Sequence, residues 1–300
     1  MRWATVGGVL ALIIALIAWG LWPTRPTYLT SGVVPATPLE QRDQLFVVRV
    51  GQKAGFIDRT GKVVIEPQFA DAGPRFSEGL APAARTDADG ERWGYIDLNG
   101  KWIVEPRFRI AYQFTEGLAL VREEYDSPHG FIDRTGAWIL LPQFEAATTF
   151  GGGRALVGEL TAIGKLKGRI DASEASDWRW RAIDRQGNDL GPEKVTGEWP
   201  FEDDGLRPIF PRGGGIGFED RAGTVVIPPR FEETTGFSEG LAAVRLPGAE
   251  WGYIDRAGTW VVPAQFGWAN PFTDGLAEVI VDRKSGYIDR TGAWVWKPSE

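Results

Sequence analysis

Seven aspartates recur with a glycine three residues behind each: Asp58/Gly61, Asp97/Gly100, Asp133/Gly136, Asp184/Gly187, Asp220/Gly223, Asp255/Gly258 and Asp289/Gly292. Carboxylates can serve as general acids, general bases or calcium ligands, so chemistry has to be weighed first. Acid–base catalysis needs two carboxylates in different environments, whereas these sit in near-identical ones. A calcium loop needs several oxygen ligands at close spacing, and one Asp per turn falls short. The spacing fits turn capping instead. Asp suits the first position of a type I turn, and Gly supplies the positive φ of an adjoining bulge in a three-residue hairpin connection. The chain has no cysteine and a single histidine, His129. That removes thiolate catalysis and Cys/His zinc sites, and it leaves a Ser–His–Asp arrangement only if His129 served it. His129 is expected in an exposed loop. No catalytic residue, cofactor or metal site is expected.

Tryptophan is the other residue type with chemical reach, and there are 14. The position two after the turn glycine holds Val63, Trp102, Trp138, Asp189, Val225, Trp260 and Trp294. Exchange between Trp and Val marks an apolar packing slot. A second position holds Trp93, Trp180 and Trp251 but swaps with Ala54, His129, Ile216 and Ser285. Packing against the next unit is the favoured reading there. The alternative makes Trp93, Trp180 and Trp251 a row of aromatic platforms for a glycan or peptide.

The elements that position these residues come from an internal repeat of roughly 35 residues. GFIDRTGKVVIEPQF from Gly55, WGYIDLNGKWIVEPRF from Trp93 and WGYIDRAGTWVVPAQF from Trp251 are three of seven copies. Five copies place Phe eight residues after the turn glycine: Phe69, Phe108, Phe144, Phe231 and Phe266. A second block, such as FSEGLAPAAR from Phe76 or FTDGLAEVI from Phe272, joins the units. Each unit is expected to be a three-stranded antiparallel meander, GLAxVR then GYID then xVVxP. The proline should stop the third strand, since it cannot donate to a ladder. A long link should follow, with its phenylalanines plugging the junction between neighbours. One such sheet cannot bury its apolar face alone, so seven must stack into an all-β array. The expected geometry is an open curved solenoid, with a closed propeller-like ring as the alternative.

The pattern W-G-[YF]-I-D…G…V-x-P-x-F…F-x-E-G-L-A-x-V resembles the WG-repeat family of bacterial proteins, named for the pair kept here at Trp93-Gly94 and Trp251-Gly252. The resemblance covers about residues 45–298 and implies a β-repeat array. It implies no activity. Unit four departs from the pattern, with Arg181 in place of Gly and an insertion from Gly158 to Asp177 that carries Lys165, Lys167 and Arg169 and then Asp171, Glu174 and Asp177. Long insertions on repeat arrays often mark a binding face, and they equally arise as drift in a tolerant loop, which is the favoured reading here.

Val6 to Trp22 is seventeen residues without a charge, with tryptophans at its ends. That is about the shortest helix able to span a bilayer core. An uncleaved signal anchor over 1–22 is the expected reading, against a cleaved signal peptide or a buried core helix. Residues 23–44 contain Pro23, Pro26, Pro35 and Pro38 and read as an extended linker, followed by the repeat domain over 45–300. The body is then expected on the extracytoplasmic, periplasmic side of the cytoplasmic membrane. A net charge of −7 and a pI near 5.1 argue against nucleic acid. A non-enzymatic binding or scaffolding module remains, with an envelope protein or cell-wall glycan as partner. Its rivals are a purely structural spacer and a glycan-acting enzyme using Glu202 or Asp203.

Overall fold

The computed structural model describes residues 44–161, 178–193 and 205–297. Among the described residues every regular element is a strand, and no helix is long and apolar enough to cross a membrane. The expected anchor over 1–22, nearly all of the linker over 23–44, Glu202, Asp203 and most of the insertion lie outside the described residues. Of the insertion, Gly158 to Leu160 continue a regular strand, Arg154–Leu160.

Among the described residues seven antiparallel sheets follow one another in chain order, and five of them have four strands rather than three. The extra strand comes from the expected link. The third strand Trp102–Phe108 of the second sheet is separated by one residue from Ile110–Ala111, which opens the third sheet. The same one-residue break joins Val63–Phe69 to Asp71–Ala72, Trp138–Phe144 to Ala146–Ala147, Val225–Phe231 to Glu233–Ser238, and Trp260–Phe266 to Trp268–Ala269. The backbone therefore stitches neighbouring sheets together directly.

The proline does not stop the strand. Pro67, Pro106 and Pro142 lie inside third strands that run on to the phenylalanine. Pro106 and Pro142 each sit at a register shift, as between Tyr95↔Val104 and Trp93↔Phe108. A bulge leaves one residue outside the ladder, so a missing N–H is harmless there. The bulged backbone folds down onto the glycine of the Trp-Gly pair. A Cβ at Gly94 would lie 2.2 Å from the Val104 carbonyl oxygen and 2.8 Å from the Pro106 nitrogen, and Gly55, Gly217 and Gly252 are crowded in the same way.

The turns match expectation. In all seven the Asp Oδ1 accepts from the backbone N–H groups two and four residues on, at 2.8–3.1 Å. The glycines have φ between 78° and 87°. Hydrogen bonding, chiefly from Thr135, holds the Asp133 carboxyl below its ordinary value. A depressed carboxyl adds stability above the ordinary carboxylate range, and that stability is lost only as pH falls through the lowered value. Asp133→Ala should therefore cost about 1 kcal/mol at neutral pH. In urea titrations the deficit should be constant from about pH 5 to pH 8 and shrink below about pH 4.

The described residues form two compact units. The first comprises the second, third and fourth sheets; the second comprises the fifth to seventh sheets together with the chain's first hairpin, Val48–Pro67. Each core cluster spans two neighbouring sheets. Leu80, Tyr95, Val104 and Phe108 of the second sheet pack with Phe114, Val121 and Ile132 of the third. Leu206, Phe218, Ile227 and Phe231 of the fifth pack with Phe237, Val244 and Ile254 of the sixth.

The joint between consecutive modules is aromatic. Phe69 meets Trp102, Phe108 meets Trp138, Phe231 meets Trp260 and Phe266 meets Trp294, all edge to face at 5.5–6.3 Å. Beside this contact, Tyr95 packs on Phe114 and Tyr253 on Phe272, both at 4.7 Å. Their hydroxyls donate to the backbone oxygens of Tyr112 and Asn270 at 2.7 Å. Burial pushes the Tyr95 and Tyr253 hydroxyls well above the ordinary phenol value.

Candidate functional site

The residues that repeat are occupied with structure, so a site has to be sought where the repeat breaks. His129 is buried, not in an exposed loop. It is 9% exposed on the strand His129–Ile132, and its Nδ1 lies 3.3 Å from the Phe144 oxygen. It fills the slot that Trp251 fills in the sixth sheet, and both side chains are buried.

The three tryptophans proposed as a platform are placed differently from one another. Trp251 is 3% exposed and tilts against Trp268 at 4.9 Å, so its ring is a packing group. Trp93 is half-buried against the core of the second and third sheets. It also hydrogen-bonds the carboxylate of Glu91, whose acidity burial and Asp71 weaken. Trp180 is half-buried on the strand Trp178–Asp184 of the fourth sheet. Trp93 and Trp180 belong to one compact unit and Trp251 to the other.

Around Trp180 the fourth sheet departs from its neighbours. The residue paired across from the tryptophan slot is Arg245 in the sixth sheet but Gly158 here. Both indoles of Trp178 and Trp180 close over the bare glycine, whose missing Cβ would lie 3.1–3.2 Å from their rings. The two rings are 6.0 Å apart and inclined by 32°. Arg181 stands where other modules need glycine, and the third strand here, Asp189–Pro192, lacks the bulged stretch that would crowd it.

An open recess of about 560 Å³ results, lined by Glu159, Arg179, Trp180, Arg181, Asp189, Gly191 and Pro192. Its charges are paired: Arg179 with Glu159 at 3.0 Å, and Arg181 with Asp189 at 3.6 Å and Glu159 at 4.0 Å. Guanidinium and carboxylate groups side by side, edged by an indole, can hydrogen-bond a polar ligand and pack against its apolar face. Among the described residues no three His, Asp or Glu side chains are grouped to hold a metal ion.

Sequence reasoning passed over the acids of the F-x-E-G block. Glu78, Glu116, Glu239 and Asp274 all have φ of 53–54° and precede glycines that also have positive φ, as two-residue hairpin turns require. Three of them cap the next module. The Glu78 carboxylate accepts from the Gly117 N–H at 2.9 Å, Glu116 from Gly153 at 3.0 Å and Glu239 from Gly275 at 3.0 Å. Their recurrence at one repeat position was the available signal.

The model of the WG containing repeat matches residues 55–84, 93–125, 130–158, 216–246 and 251–284, together more than half of the chain. No curated protein matches it in sequence. Among solved structures, a eukaryotic initiation factor is 12% identical, covering 85% of this chain and 84% of that one at a TM-score of 0.48. BamB from Moraxella catarrhalis is also 12% identical, covering 84% of each chain at 0.36. The computationally designed Ika8 protein is 13% identical, covering 81% and 76% at 0.33. At such scores neither fold nor function transfers to this chain. Five registered matches, and a Trp-Gly glycine whose place is set by the bulge above it, make the chain a member of the WG-repeat family.

Proposed function

We propose that this protein is a binding or scaffolding module held at the outer face of the cytoplasmic membrane, with an envelope protein or cell-wall material as its ligand. One observation carries the reading. The repeated turn acids are engaged by backbone N–H groups, while the residues that break the repeat gather at the recess of the fourth sheet. The uncharged stretch Val6–Trp22 supports the membrane attachment. Within one compact unit the first hairpin meets the last module, with Arg59 paired to Asp274 at 3.5 Å.

Two measurements test this. Protease added to right-side-out vesicles carrying the full chain should digest the repeats, and inverted vesicles should protect them; the reverse pattern refutes the placement. Purified cell-wall sacculi should co-sediment the full chain, or crosslinking in whole cells should trap a discrete envelope protein. Trp180→Ala combined with Arg181→Gly should weaken that binding at least about tenfold, the effect of losing one buried hydrogen-bonded contact with its packing. If no envelope ligand is captured, or the double variant binds as tightly as the parent, the recess is not the binding face.

A further inference from the structure

A sheet edge offers unpaired backbone N–H and C=O groups to any strand that can lie beside it, and folded proteins guard such edges with charges or prolines. Among the described residues the third strand of every module is an edge of its sheet. The guard sits five residues after the turn glycine. That position holds Glu66, Glu105, Pro192, Pro228, Pro263 and Lys297 in six modules, and all six side chains are exposed. A charge there resists being covered by another strand, and a proline has no N–H to give it. The third module breaks the rule. It carries Leu141, which is 65% exposed.

The strand around Leu141 is open in other respects too. Trp138–Phe144 contains no charged residue. Ile139 lies on the same face, two residues before Leu141, and is 46% exposed. Among the described residues no backbone hydrogen bond reaches this strand from outside its own sheet. Pro142 does not protect it. The Pro142 nitrogen lies 2.9 Å from the Cβ position of Gly130 on the neighbouring strand, so the missing N–H faces the side that is already paired. Trp260–Phe266 is also uncharged, but it keeps its guard as Pro263.

We propose that the edge Trp138–Phe144 pairs with the same edge of a second copy of this chain, antiparallel about a two-fold axis. The charges select this occupant. Pairing centred on Leu141 sets Leu141 against its counterpart and Ile139 against Gln143, with no charges opposed. The same operation on the Glu66 or Glu105 edge would set carboxylate against carboxylate, which is destabilising. Each chain carries a net charge of −7, so copies repel in general and approach most easily along an uncharged strand. One strand pair with a few apolar side chains buries far less than the roughly 1,200 Å² of a permanent interface. The dimer is therefore weak and reversible.

Sedimentation velocity of the full-length protein in detergent, from about 1 to 300 μM, should show a monomer–dimer equilibrium. Leu141→Glu installs the guard of the first two modules. It should weaken dimerisation at least about tenfold and leave the urea midpoint unchanged, because the side chain is mostly exposed. Glu105→Leu should act in the opposite sense, adding a second self-pairing edge and extending dimers into larger assemblies. The chain has no cysteine, so Leu141→Cys places a single thiol at the axis. Mild oxidation should join two copies through it at least about tenfold faster than through Glu105→Cys. A parent that stays monomeric over this range, or a dimer that Leu141→Glu leaves intact, overturns the proposal. So does a Leu141→Cys chain that crosslinks in cells to a different protein and not to its own copy, which would give the edge to a foreign strand.

Discussion

Gly94→Ala should remove about 3 kcal/mol or more of stability, enough to leave the second sheet unfolded at room temperature. The added carbon would sit 2.2 Å from the Val104 oxygen and 2.8 Å from the Pro106 nitrogen. Both neighbours are backbone, held by the bulge on one side and by the run-on strand on the other, so neither can swing aside. The effect is steric alone, because Gly94 is not among the glycines with positive φ and alanine could adopt its backbone. Gly213→Ala is the control. That glycine is exposed, also without positive φ, and has nothing within 4 Å of its Cβ position. Its substitution should change the urea midpoint by less than about 0.5 kcal/mol equivalent. A Gly94→Ala protein as stable as the control would refute the account of why the Trp-Gly pair keeps its glycine.

Phe108→Ala should cost about 3–5 kcal/mol, the range for emptying a fully buried aromatic site. Phe108 is 0% exposed, meets Trp138 edge to face at 5.9 Å and lies under the Arg107 guanidinium at 4.8 Å. It ends one sheet and seals the joint to the next, so the loss should spread to both. Exchange protection should fall in the strands Trp102–Phe108 and Trp138–Phe144 together. Trp138→Val should be milder, about 1–2 kcal/mol, because Val63 and Val225 fill the same slot in other modules. A double variant should show coupling of about 0.5–1.5 kcal/mol, as expected for touching aromatic rings. If Phe108→Ala melts only its own sheet, the joint is not where neighbouring modules depend on each other.

The recess could not have been located from the chain pattern alone. Arg181 and the insertion flagged the fourth module as irregular, but the recess also needed Gly158 to pair with Trp180. Trp180 was singled out; Trp178, its neighbour on the same strand face, and Arg179 were not, because neither stands at a repeated position. Packing was the favoured reading for Trp251, whereas His129 was expected in an exposed loop. Both side chains are buried.

The sequence by itself determined what is local or periodic: the repeat, the antiparallel strands, the Asp-x-x-Gly turns and the matched spacing of Phe and Trp. Such features depend on residues within a few positions of one another, or on the same position in successive units, and a linear pattern records both. Tertiary structure alone decided the run-on strands, the proline bulge pressing on glycine, the inward facing of His129 and the docking of the first hairpin on the last module. These depend on which backbone lies across from which, and that is set when sheets distant in sequence cover each other's apolar faces.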